Sequence, residues 1–212
     1  MTVTCKKIGA LVSGGGSNLQ AVLDAIALGE INGRVTLVIS DNPDAGGLAR
    51  ARAAGAETAV IRPKDYPDRA AFSQVLAAKL QGAGVELVLM AGFMRVTTVE
   101  LITPFRNRIL NIHPSLIPSF CGPGFYGHHV HEAVLEYGAK VSGCTVHFVE
   151  EAVDAGPIVL QRTVPVLEGD TPDTLAARIL IEEHKAYPEA VRLFCAGRLM
   201  MQGRRVIIAP EK

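Results

Sequence analysis

At 212 residues, with 21 Lys plus Arg against 21 Asp plus Glu, the chain has no formal net charge and no basic run, which excludes nucleic acid as a main partner. No stretch approaches the ~20 continuous apolar residues of a membrane helix, and the length suits one domain with a full hydrophobic core. The four cysteines, Cys5, Cys121, Cys144 and Cys195, lie far apart without CxxC pairing, which excludes a zinc pattern or a dense disulfide framework and predicts reduced thiols.

In chain order, the opening Met1-Thr-Val-Thr-Cys-Lys-Lys lacks the apolar stretch and cleavage site of a signal peptide, so a cytoplasmic protein is expected. Residues 6–13 form a mostly apolar run ended by Gly14-Gly15-Gly16, and Ser17-Asn18 then precede an apolar-periodic stretch to Leu28. The pattern predicts a strand, a tight turn and a capped helix. Bare backbone amides meeting a helix N-terminus make a seat for a phosphate, and three successive glycines exceed what a turn that binds nothing requires. A dinucleotide fingerprint is a rival reading. Gly14 and Gly16 meet it and Asp41 could hold a ribose, but Leu19 replaces the third glycine. No Gly-Lys-Ser/Thr follows, so a P-loop is excluded.

Strands are predicted near 34–40 and 58–61, helices near 45–54 (closed by Gly55) and 69–81, and short buried strands at 86–90 and 109–112. This alternation predicts an α/β fold: a Rossmann-like, doubly wound, mostly parallel sheet whose ligands sit beyond the carboxyl ends of the strands. Asn111 and His113 fall at such an end, and period-two alternation points both to one side. An Asn amide can stabilise an oxyanion, and a His can serve as cationic donor or base, which are the tools of acyl transfer. Spacing alone leaves open that both are turn residues without a catalytic role.

A loop rich in Pro and Gly follows, then a short helix near 130–136 and two strand-like runs, 140–149 and 157–167, forming an antiparallel pair joined by an acidic connection at 150–156. Asp154 in that connection could fold back and favour a protonated His113, although a lone hairpin Asp is commonly solvated surface. His128, His129 and His131 cluster without a thiol or carboxylate at ligand spacing, so no metal is expected. Cys144-Thr-Val-His147 reads as core packing, its ends on opposite strand faces. A long C-terminal helix is expected over 171–196, from an acidic cap to Gly197, and 198–208 could form a small hairpin.

Five blocks, Ser13-Gly-Gly-Gly-Ser-Asn-Leu-Gln20, Ala91-Gly-Phe-Met-Arg95, Asn111-Ile-His-Pro-Ser-Leu-Ile-Pro118, Gly143-Cys-Thr-Val-His-Phe-Val149 and Asp154-Ala-Gly-Pro157, together resemble the phosphoribosylglycinamide formyltransferases of the folate-dependent formyltransferase superfamily. The likeness runs from about Ile8 to Leu199, and Glu183-His184 is particular to that enzyme group. It implies formyl transfer from 10-formyltetrahydrofolate to the amine of 5-phosphoribosylglycinamide in purine synthesis, without metal, by a monomer or weak homodimer handling small molecules only. Asn111 and His113 match the catalytic pair, and Asp154 matches the acid that tunes the histidine. Gly16, Ser17 and Asn18 match the substrate-phosphate turn, and Glu183 the carboxylate that binds ribose hydroxyls. Arg69, Met94, Arg95, Val96, Thr97, Asn111 and the loop Glu150, Glu151, Ala152, Val153 and Asp154 match folate-contacting positions. The likeness divides the single domain, 1–212, into a phosphate-binding half (about 6–113), a folate-binding and catalytic half (about 114–200) and a tail (201–212).

Three departures stand out. Leu180 replaces a Lys or Gln near the phosphate, Gly15 replaces a polar turn residue, and the loop 120–129 is longer than in compact members. Relatives that formylate initiator methionyl-tRNA normally carry a basic C-terminal extension, and those that hydrolyse formyl-folate carry an N-terminal regulatory domain. From other classes, a non-catalytic nucleotide- or folate-binding module would need neither His113 nor Asp154, and a nicotinamide oxidoreductase would use Gly14, Gly16 and Asp41.

Overall fold

Ile8, Ala10, Leu11 and Val12 are fully buried in β1 (Lys6–Val12), and burial on both faces marks β1 as a central strand. The computed structural model describes residues 5–211; the N-terminal stretch Met1-Thr-Val-Thr and the last residue of the expected tail, Lys212, lie outside the described residues. After β1 come α1 (Ser17–Ala27), β2 (Gly33–Ser40), α2 (Gly46–Ala53), β3 (Glu57–Val60), α3 (Arg69–Gly82) and β4 (Leu87–Met90). They are followed by α4 (Val99–Ile102), β5 (Ile109–His113), α5 (His128–Tyr137), β6 (Val141–Phe148), β7 (Ile158–Pro165) and α6 (Pro172–Cys195). A two-stranded hairpin, β8 (Leu199–Gln202) and β9 (Arg205–Ile208), completes the order.

The seven strands of the main sheet lie in the order β3-β2-β1-β4-β5-β6-β7. Pairings from β3 to β5 are parallel, whereas β6 and β7 are added antiparallel, as the sequence pattern predicts. Alternate side chains feed two cores. Ile8, Ala10 and Val12 pack with Leu19 of α1, Leu48 of α2, Val134 of α5 and Ile179 of α6, while Leu11 joins Phe72 and Leu76 of α3 and Leu101 of α4 on the opposite face.

Two helix starts differ from expectation. The N-cap of α6 is Thr171 rather than an acid: its hydroxyl accepts from the Thr174 N–H, and Thr174 returns the bond. Asp170, just before it, is held by Arg178. Helix α1 has no side-chain cap; its N-cap is Gly16, left-handed at φ 72°, so Ser17 lies inside the helix and the first-turn amides are left without a side-chain partner. The four-residue α4 was missed because it is too short to show a period. Tyr187 of α6, fully buried, shares its hydroxyl proton between the carbonyls of Met90 (3.1 Å) and Leu110 (2.9 Å), fastening that helix to β4 and β5.

Candidate active site

The carboxyl ends of β4 and β5 open into a cavity of about 300 Å³. Asn111 and His113 both line it, as their alternation on β5 predicts. Antiparallel pairing sets His147 of β6 directly opposite Asn111, and the Asn111 amide nitrogen lies 3.1 Å from His147 Nε2. The His147 Nδ1 is 2.8 Å from the Phe148 carbonyl, which can only accept, so Nδ1 carries the proton. Burial pushes this imidazole below the usual histidine range, against the pull of the Phe148 carbonyl and the Asp154 charge. The neutral ring therefore accepts from Asn111 at Nε2 and fixes the amide orientation, leaving the second amide N–H for an oxygen in the cavity.

His113 sits between two acceptors. Its Nε2–H donates to the Phe120 carbonyl at 2.9 Å, and its Nδ1 is 3.6 Å from Asp154 Oδ2. The Phe120 carbonyl can only accept, so Nε2 carries a proton, and Nδ1 faces the Asp154 carboxylate. Asp154 is not solvated surface: its side chain is 12% exposed, its backbone is left-handed at φ 53°, and it accepts the Gly122 N–H at 3.0 Å. Its other oxygen lies 3.7 Å from His147 Nε2. The Asp-x-Gly spacing has a steric cause, since a Cβ on Gly156 would sit 1.8 Å from the Phe148 carbonyl oxygen. The turn carrying His113 is braced from below. Thr145 Oγ1 donates to the Ser115 carbonyl at 2.6 Å and accepts from Ile117 N–H at 3.1 Å, while Ser115 Oγ donates to Ser119 O at 2.7 Å.

Also lining the cavity, Asn18 donates its amide N–H to Glu183 at 2.6 Å. Burial pushes the Glu183 carboxyl up and the Asn18 bond draws it down. Asn18 Oδ1 is buried without a hydrogen-bond partner. The glycine turn is clamped by α2: the Gly47 N–H donates to Gly14 O at 3.1 Å, and a Cβ on Gly16 would meet Gly47 Cα at 2.6 Å.

Of the residues proposed from sequence, Asn18, Met94, Arg95, Val96, Thr97, Glu150, Glu151, Val153 and Glu183 join Asn111, His113 and Asp154 around this one cavity. Gly16 and Ser17 lie beside it, at the turn. Arg69 and Ala152 do not line it; Arg69 is exposed at the start of α3, and Ala152 is exposed in the β6–β7 connection. Asp41 does not present the free acid a dinucleotide ribose needs, because Arg95 Nε holds it at 2.6 Å. Sequence reasoning missed His147, which it assigned to packing, and the backbone groups of Phe120 and Gly122. Cys144 is indeed core, its thiol pushed up to about 12 by burial. The Cys121 thiol, bonded to Pro118 O at 3.3 Å, is also raised, by burial and by Asp154, which makes it a poor nucleophile. Among the described residues, no group of three or more His, Cys, Asp or Glu could hold a metal ion.

Residues 6–191 match the formyl transferase family. Phosphoribosylglycinamide formyltransferase of Escherichia coli (strain K12) is 41% identical over 90% of this chain and 88% of its own length. The chloroplastic phosphoribosylglycinamide formyltransferase of Arabidopsis thaliana is 44% identical over 92% of this chain. The chain spans 67% of that plant protein's length, and less than a fifth of the trifunctional purine biosynthetic proteins it also matches. The crystal structure of glycinamide ribonucleotide transformylase 1 from Symbiobacterium toebii superposes with a TM-score of 0.93 at 53% identity, covering 99% of this chain and 96% of that one.

Proposed function

The chain belongs to the formyl transferase family, and from that premise we propose that it transfers the formyl group of 10-formyltetrahydrofolate to the amine of 5-phosphoribosylglycinamide, a step of purine biosynthesis. The products are formylglycinamide ribonucleotide and tetrahydrofolate. The observation that carries the reading is the convergence of Asn111, His113 and Asp154 on a cavity that Asn18 and Glu183 also line. The rim exposes Met94 and Val96, apolar side chains suited to the flat ring of a folate.

The acceptor amine attacks the formyl carbon, forming a C–N bond and placing negative charge on the formyl oxygen. The free amide N–H of Asn111 donates to that oxyanion, and the charge of a protonated His113 beside it stabilises it further. Asp154 balances the imidazolium charge. Collapse breaks the bond to the folate nitrogen, and the proton lost by the attacking amine passes through water to that nitrogen. No step calls for a metal. Glu183 and the unpartnered Asn18 Oδ1 suit ribose hydroxyls, and the uncapped first turn of α1 suits the phosphate. We place the reaction in the cytoplasm, by a monomer or weak homodimer; among the described residues no helix is long and apolar enough to cross a membrane.

The test is to mix protein and 10-formyltetrahydrofolate and follow tetrahydrofolate release with and without phosphoribosylglycinamide. Release that depends on the ribonucleotide is expected. Release at the same rate in its absence means hydrolysis and sinks the proposal.

A further inference from the structure

We propose that Arg50 of α2 reads the acceptor's phosphate, supplying from the second helix the polar group that α6 lacks at Leu180. The inference rests on the preceding reading, in which that phosphate occupies the glycine turn.

Helix α2 is pressed against the turn by Gly46 and Gly47, and Arg50 lies one helical turn further on. Its guanidinium is fixed in place: Nε–H donates to Gly15 O at 2.8 Å, and Nη1–H donates to Gln20 Oε1 at 3.1 Å. Both acceptors are neutral. Among the described residues Arg50 enters no ion pair beside the first turn of α1; the acid nearest to it through hydrogen bonds, Asp24, is held by Gln20 at 2.8 Å. Arg50 lines a second cavity, of about 690 Å³, together with Ser17 and His184. The other cations there are matched by acids: Lys185 pairs with Glu182 at 2.6 Å and Arg192 with Glu211 at 3.3 Å. The Arg50 charge is felt across the gap, where it joins burial in pushing the His184 imidazole down.

The two cavities divide neighbours along the chain. Ser17 and His184 face the larger one, while Asn18 and Glu183 face the smaller. The turn stands on the boundary, with helix amides, the positive end of a helix dipole and an unpaired guanidinium gathered around one point. Together these favour a phosphate over a neutral or singly charged group. Leu180, half-buried, adds no hydrogen-bonding side chain from α6.

The experiment measures kcat and KM for phosphoribosylglycinamide and for its dephosphorylated counterpart, ribosylglycinamide, with the wild type, Arg50→Ala, and Arg50→Ala combined with Leu180→Lys. The expected result is that Arg50→Ala raises KM for the phosphorylated acceptor about 10- to 100-fold, the loss typical of a charge-assisted contact. The kcat value, the donor KM and the efficiency on ribosylglycinamide should stay within about twofold of wild type. Adding Leu180→Lys should restore part of the preference for phosphate. An equal loss on both acceptors would mean that Arg50 only braces the turn, which overturns the proposal while leaving the phosphate site intact. A wild type with no preference for the phosphorylated acceptor would overturn the phosphate site itself, and the Arg50 proposal with it.

Discussion

The glycine turn beside the cavity and the end of β5 that opens into it are built from different materials. At the turn after β1, the path is set by backbone, with glycines that allow α1 and α2 to meet; at the end of β5, the cavity is lined by side chains from β5, β6 and the loop that joins β6 to β7. A backbone site is indifferent to the identity of its side chains provided the path of the chain is kept. A side-chain site depends on each group and on the protons each carries.

The contrast is most easily broken at His113. Alanine there, or at Asn111, should lower kcat about 10²- to 10⁴-fold in steady-state assays, as loss of an oxyanion donor or acid does. Turnover near wild type would place the chemistry elsewhere. Asp154→Asn, which keeps the shape and removes the charge beside His113, should cost about 10- to 100-fold in kcat and displace its pH profile. An unmoved profile would reduce Asp154 to a loop anchor. His147→Ala frees the Asn111 amide and should cost about tenfold in kcat with little change in KM, one hydrogen bond's worth of orientation.

At the turn, the test is between neighbours. Gly16→Ala forces a Cβ onto a left-handed residue and against Gly47, so thermal denaturation should show a Tm lower by several degrees, with a raised acceptor KM. At Gly15 an added Cβ meets nothing within 4 Å and the backbone is not left-handed, so Gly15→Ala should leave KM and kcat within about twofold. If both substitutions behave alike, the turn is not a backbone site.

The same division decides what the sequence discloses. The glycine turn and the alternation of Asn111 with His113 are local, so a single strand shows them. His147 could not be seen as a partner of Asn111, because the register of an antiparallel pair joins residues 36 apart, and nothing within β6 announces it. Asp154 could be named but not placed, since its burial depends on Gly122 reaching it from a separate loop. Arg50 was passed over for the same reason: on its own helix it is an exposed arginine, and only the packing of α2 on the turn gives it a role. Helix α1, read as capped, is uncapped, and the difference matters because a side-chain cap would compete with a ligand for the same amides.

Tyr187 bears on how the protein is made. Its hydroxyl joins α6 to the carbonyls of Met90 and Leu110, and the same helix brings Glu183 to the cavity. A ribosome adding about 5 to 20 residues per second needs several seconds to travel from β5 to that helix. Through that interval the growing chain has Asn111 and His113 in hand, but of the helices that cover the sheet face of Ile8, Ala10 and Val12 it still lacks α6, and with it the Tyr187 bond between β4 and β5. A chain that stops before α6 would therefore lack Glu183 at the cavity and leave part of the apolar sheet face uncovered.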